Sequence, residues 1–251
     1  MGIMAKYKPN IEIVTDLGAL SRRCAELFIA DAQKAIKANG VFRVAISGGN
    51  TPKHFFQILP ELSGSKKLSW AKIELFWVDE RYVPYNSERS NYKLAFDAFI
   101  SKVDIPAENV HRIPTEHDDF KTAAQKYENI MRDVFEIGQD QVPEFDLIIL
   151  GMGVEGHTGS LFPNSYASLN TSDLTCVVYV MDEQLNRITM TCPVLCAAKH
   201  LAVLVSGEEK SPILKKVLTS DPDEVLYPIH CLWRVLDRVS WVVDKKAAKL
   251  L

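Results

Sequence analysis

Phe-Asp-Leu-Ile-Ile-Leu-Gly-Met-Gly-Val-Glu-Gly-His-Thr-Gly-Ser-Leu-Phe-Pro, residues 145–163, runs from an apolar strand straight into a glycine-rich turn. Residues 147–150 are apolar at every position, which suits a parallel strand buried on both faces. Gly151, Gly153, Gly156 and Gly159 crowd the turn, as expected where a backbone bends sharply and approaches something closely. Glu155 and His157 stand among them, and histidine is the side chain whose unperturbed pKa lies near neutrality. A buried strand ending in a carboxylate and an imidazole predicts an α/β fold with a reactive site beyond the carboxyl ends of its strands.

Gly151, Gly153 and Gly156 also spell G-x-G-x-x-G, the pattern of dinucleotide-binding turns. That pattern needs a long helix after its third glycine, because the helix N-terminus holds the pyrophosphate. Pro163 disfavours helical geometry at Phe162 and leaves room for only about two turns. Asp173, near the expected distance for a ribose contact, follows the loop-like Asn170-Thr171-Ser172 and not a strand end. The glycines are therefore read as serving a ligand other than a nicotinamide or flavin nucleotide.

Outward from this stretch, strands and helices alternate. Apolar runs at 11–14, 42–46, 73–78, 110–113, 175–180, 188–191, 201–205 and 241–243 read as strands. Helical spacing covers 16–38, stopped by Asn39-Gly40, then 52–59, 120–135, 194–199 and 212–218, with Ser90-Asn91 capping a helix to about residue 100. No repeat or linker divides the chain. The expectation is one domain over residues 1–251, α/β, with a single doubly wound, mostly parallel sheet and helices on both faces.

The 251 residues carry a formal charge of −3, which offers no general attraction to nucleic acid or anionic membrane. An anionic ligand would have to be held by local Arg and Lys. No apolar run approaches the ~18 residues of a membrane span, and the N-terminus lacks a secretory pattern. Met1-Gly2 is followed by Lys6 where myristoylation needs Ser or Thr. Five cysteines (Cys24, Cys176, Cys192, Cys196, Cys231) form no C-x-x-C pair or zinc-type spacing and read as core-filling thiols of a reducing cytoplasm. No metal site is expected.

Three further segments could bear chemistry. Ser47-Gly48-Gly49-Asn50-Thr51-Pro52 follows a strand and opens a helix, with Thr51 able to cap and Pro52 suited to the first helical position. Such an open helix start is a phosphate site, and the lack of a Lys after the glycines excludes a nucleotide P-loop. Asp79-Glu80-Arg81 closes an apolar strand, and Arg81 could fork to oxyanions. Arg187 and Lys210 flank later strands and could do the same. His157 is placed to act as a general base. Gly156-His157-Thr158-Gly159-Ser160 lacks the central serine of a hydrolase elbow, and His54, His111, His117, His200 and His230 share no metal-ligand spacing.

Taken together, these segments resemble the 6-phosphogluconolactonase family. The matching residues are Ser47-Gly48-Gly49, Thr51-Pro52, Asp79-Glu80-Arg81-Tyr82-Val83-Pro84, Ser90-Asn91-Tyr92, Gly151-Met152-Gly153 and Gly156-His157-Thr158. Ser160-Leu161-Phe162-Pro163, Arg187-Ile188-Thr189-Met190-Thr191 and Ser206-Gly207-Glu208-Glu209-Lys210 complete the set in family order, and residues 241–251 look like the family's ending. The resemblance implies a modified Rossmann-like sheet fold shared with glucosamine-6-phosphate deaminases, no cofactor, and hydrolysis of a phosphorylated sugar lactone by a cytoplasmic monomer or small homo-oligomer. It implies that His157, with Glu155, Asp79 and Arg81, serves catalysis, and that Ser47, Gly48, Gly49, Asn50, Thr51, Arg187 and Lys210 hold phosphate. Two positions depart from the family: Glu155 replaces its usual Asp, and Gly159 its usual Ala. A deaminase or isomerase of the sister activity, or a sugar-phosphate sensor without catalysis, are the alternatives.

Overall fold

The computed structural model describes residues 8–117, 119–180 and 185–251; Met1, Gly2 and Lys6 lie outside them. β1 (Asn10–Val14) leads into α1 (Leu17–Asn39). Asp16 starts that helix by accepting the Ala19 N–H at 2.9 Å, and Gly40, at φ 81°, ends it by donating to Ile36 O. β2 (Phe42–Ile46), α2 (Asn50–Ser65), β3 (Ile73–Trp77) and β4 (Asp79–Arg81) follow, then α3 (Asn91–Ala98), β5 (Val110–His111) and α4 (Phe120–Phe135). The second half contains β6 (Leu147–Gly151), α5 (Tyr166–Leu169), β7 (Thr175–Val178), β8 (Arg187–Met190), α6 (Cys192–Ala197), β9 (Leu201–Val205), α7 (Ser211–Thr219) and β10 (Val239–Asp244).

Seven strands form one parallel sheet in the order β1-β10-β9-β6-β2-β3-β5. All five residues of β9 and the first four of β6 are buried, so side chains on both faces of the sheet are covered. Among the described residues no helix is long and apolar enough to cross a membrane. The sheet reverses its direction of growth at β2: β3 is laid on one side of it and β6 on the other. Ligands of open α/β sheets bind outside the strand ends at such a reversal, and here the two strands concerned feed the Ser47 and Gly151 turns.

The structure adds a second sheet, three-stranded and antiparallel in the order β4-β8-β7. Asp79-Glu80-Arg81 is thus not the tail of β3 but a strand of its own. Val78 is the joint: its N–H donates to Ile46 O at 2.9 Å, and its carbonyl accepts from Met190 N at 2.7 Å. β7 and β8 cannot join the parallel sheet as neighbours, because residues 179–186 are fewer than the roughly one dozen a parallel crossover needs. They pair antiparallel and stand over the strand ends.

The start of α2 also differs from expectation. The helix begins at Asn50, not Pro52, and Thr51 does not cap it. Gly49, at φ 106°, occupies the cap position and offers no side-chain acceptor, which leaves first-turn amides for a ligand. Pro52 remains within the first turn, where its missing N–H costs nothing. Tyr127 of α4 holds the end of β3. Its hydroxyl accepts from Trp77 N at 2.9 Å and donates to Trp77 O at 2.8 Å, pinning the last residue of β3.

Candidate active site

Beyond the ends of β2, β6 and β9, and beneath the small sheet, lies a cavity of about 460 Å³. Ser47, Gly48, Gly49, Asn50 and Thr51 form its wall at the α2 start. Asp79, Arg81 and Arg187 line it from β4 and β8, Glu155 and His157 from the glycine turn, and Lys210 from the segment after β9. Every candidate residue from the sequence therefore borders one space.

The small sheet explains how two of the cations meet. Its register puts Arg81 directly opposite Arg187. Like charges facing each other across a strand pair are unfavourable unless something between them is negative. Both Nε atoms are buried and have no hydrogen-bond partner in the protein. Burial pushes the Arg187 guanidinium below its ordinary range; Asp79 opposes that shift, and Arg81 and Arg89 add to it. Arg81 is held by a donation from Nη1 to Arg89 O at 2.9 Å. Lys210 is likewise lowered by burial, against the pull of Glu209 and Glu155. Two cations desolvated by burial, with Arg81 facing one of them, stand beside an uncapped helix start, an arrangement able to hold an anion.

The glycine turn aims the imidazole. Gly153 N donates to His157 O at 2.9 Å and Gly156 N to Gly153 O at 3.1 Å, folding the turn onto itself. The ring then lies over Gly153, where a Cβ would sit 2.1 Å from both Nδ1 and Cε1. Phe162 packs on its other side with ring centroids 4.6 Å apart, and Arg187 stacks on Phe162 in turn at 5.4 Å. Glu155 Oε2 is 3.3 Å from His157 Nδ1 but off the line of its N–H, a close contact without an aligned hydrogen bond. His157 holds the Glu155 carboxyl down to about 2, with Lys210 contributing. The other partnered histidines have structural bonds: His111 with Glu74 at 2.6 Å, His200 with Asp31 at 2.5 Å, and His230 with Val217 O at 2.8 Å.

That depressed value has a pH consequence. A carboxyl lowered from 4.5 to about 2 contributes stability that is complete above 4.5 and is lost as pH falls towards 2. With the side chain 48% exposed, solvent screening keeps that contribution below about 1 kcal/mol. Glu155 is consequently ionised throughout the neutral range. In a kcat/KM profile from pH 5 to 8, any acid limb should survive in Glu155→Gln; loss of the limb would show that Glu155 titrates there.

Asp79 is set deeper than a group that meets substrate freely. Its Oδ2 accepts the Ser160 hydroxyl at 2.6 Å, which ties β4 to the glycine turn, and its carbonyl accepts Asn91 Nδ2 at 2.9 Å. Sequence reasoning missed four supporting residues. Glu80 is buried and accepts from Arg81 N, Asn91 N, Tyr92 N and the Ser90 hydroxyl; burial raises its pKa against those four donors. It clamps β4 to the start of α3. Asn91, so fixed, borders the cavity with a buried Oδ1 that no protein group satisfies. Phe162 and Ser160 are the other two. The charge of Glu80 was visible at a strand end, but its inward direction was not.

A parallel sheet with a cation-lined cavity and a histidine turn at its reversal defines an α/β enzyme class with a site for an anionic ligand. The chain belongs to the family described as glucosamine-6-phosphate isomerases/6-phosphogluconolactonase, which matches residues 15–241. A curated 6-phosphogluconolactonase from Nostoc sp. (strain PCC 7120) is 36% identical over 240 residues, covering 96% of this chain and 97% of that protein. One from Chlamydia pneumoniae is 37% identical over 223 residues, covering 88% and 82%. Among solved structures, 6-phosphogluconolactonase from Trypanosoma cruzi superposes with a TM-score of 0.85 at 26% identity, covering 98% of this chain and 97% of that one.

Proposed function

We propose that this chain is a 6-phosphogluconolactonase, opening 6-phospho-D-glucono-1,5-lactone with water to give 6-phospho-D-gluconate in the oxidative pentose phosphate pathway. The observation that carries the reading is the shared cavity: Arg81, Arg187, Lys210 and the α2 start surround the same space as His157 and Glu155. The phosphate sits at the amides of Gly48 to Thr51 with Arg187 and Lys210. Held there, it orients the lactone ring over the glycine turn. Nδ1 faces Glu155, so Nε2 takes a proton from water as that water attacks the lactone carbonyl. Arg81 steadies the tetrahedral oxyanion, charge that exists only after the attack. On collapse the ring C–O bond breaks, and the proton on His157 passes to the departing ring oxygen, which becomes a hydroxyl. No metal or cofactor step is needed for this balance.

The segment after the histidine supports a lactonase over the sister deaminase. Residues 158–163 bring no acid for ring opening, and their polar side chains are already engaged: Thr158 donates to Gly151 O at 2.9 Å and Ser160 to Asp79. A cytoplasmic setting, one domain over the chain and a monomer or small homo-oligomer belong to the same reading. The test is acid release from the phosphorylated lactone and from unphosphorylated glucono-1,5-lactone, at mildly acidic pH where spontaneous opening is slower. With charge-assisted bonds to phosphate worth about 1.5–3 kcal/mol each, kcat/KM should favour the phosphorylated substrate by at least ~10²-fold. Equal rates would remove the phosphate from the mechanism.

A further inference from the structure

Away from the cavity, the fold gathers three of the five cysteines. Cys192 opens α6 and Cys196 lies one turn later; Cys231 comes from the 3-10 segment Pro228–Arg238 packed against that helix. Their sulfurs all lie within 4.8 Å of one another, and Cys192 Sγ is 3.7 Å from Cys196 Sγ. Two thiolates bound to one ion at about 2.3 Å with tetrahedral angles are about 3.8 Å apart. The Cys192–Cys196 spacing therefore already matches that of two ligands on one ion, with the third sulfur within 4.8 Å of both. Cys192 and Cys231 are each only 2% exposed, whereas Cys196 is partly open and gives a path in.

We infer that Cys192, Cys196 and Cys231 form a binding site for one soft, thiolate-seeking d10 cation, bridging α6 to the segment that follows α7. Sulfur ligands select such ions over hard ones. Among the described residues no carboxylate, histidine or further cysteine joins the three sulfurs, so the site favours Cu(I), which accepts three-coordinate sulfur. Zn(II) would need a water as its fourth ligand. The ion would bind as the coordinating thiols release their protons, with no change of oxidation state. Its structural effect reaches the catalytic turn. Ile229 N, at the start of the Cys231 segment, donates to Gly156 O at 3.1 Å, so a staple between α6 and this segment braces the loop that carries His157. The site stands apart from the lactonase reading and does not depend on it.

The test uses the full-length reduced protein under anaerobic conditions, competing with a coloured Cu(I) chelator, and with a Zn(II) indicator in parallel. One equivalent should leave the chelator, X-ray absorption should report sulfur ligands only for Cu(I), and Tm should rise in the loaded protein. Cys196→Ser and Cys231→Ala should each weaken binding by about 100-fold or more, while Cys176→Ser, in β7, should bind as the wild type does. Cys196 is partly exposed, so its variant keeps the test alive should Cys231→Ala fail to fold. Uptake of Zn(II) with the same cysteine dependence would uphold the site with a water added. Failure of the wild type to take up either ion, or unchanged affinity in Cys196→Ser, would overturn it.

Discussion

His157→Ala should lower kcat for lactone opening by ~10²–10⁴-fold, the range for loss of a general base, or about 3–5 kcal/mol of barrier. Little else should change. Nδ1 of His157 has no hydrogen-bond partner and its side chain is 24% exposed, so the fold rests on it only lightly. Thermal unfolding should therefore stay close to wild type, and affinity for 6-phosphogluconate should be retained, because the proposed phosphate-holding residues do not include His157. A variant that keeps more than a tenth of the wild-type kcat would remove His157 from the proton transfer.

Gly153→Ala should be nearly as damaging, without touching a reactive atom. Gly153 has no positive φ, so alanine fits its backbone. The obstacle is the imidazole: the new Cβ would lie 2.1 Å from Nδ1 and Cε1 and 2.8 Å from Cγ. The ring must move by about an ångström, and a misplacement of that size costs ~10²-fold in rate. Phe162, tilted against the ring at 4.6 Å between centroids, limits where the ring can go. Steady-state kinetics should show the loss in kcat more than in KM. Gly64→Ala, with nothing within 4 Å of its Cβ, should leave both unchanged. Equal activity of Gly153→Ala and wild type would mean that the imidazole position is not what sets the rate.

The sequence was most readable where local signals agree. The strands at 42–46 and 201–205 and the helix at 120–135 match their expected bounds, because apolar period and flanking turn residues point the same way there. The turns carrying Ser47, His157 and Lys210 were legible for the same reason. The small sheet was not. β4 is three charged residues, and only pairing with β8, more than a hundred residues later, makes it a strand. The facing of Arg81 and Arg187 and the inward turn of Glu80 follow from that pairing and leave no local trace. α2 began earlier than its proline suggested, since Gly49 could supply the cap geometry without a side chain. The thiol cluster was hidden for another reason: Cys231 reaches Cys196 across 35 residues, and such a separation matches no ligand spacing.

The most direct measurement sets the two activities named in the family's description against each other on one preparation of the wild-type chain: proton release from 6-phosphoglucono-1,5-lactone and ammonium release from glucosamine 6-phosphate. Rapid lactone opening that depends on His157, with no ammonium above background, is the expected result. Ammonium release with the lactone opening only at its spontaneous rate would contradict the assignment and move His157 to a different reaction.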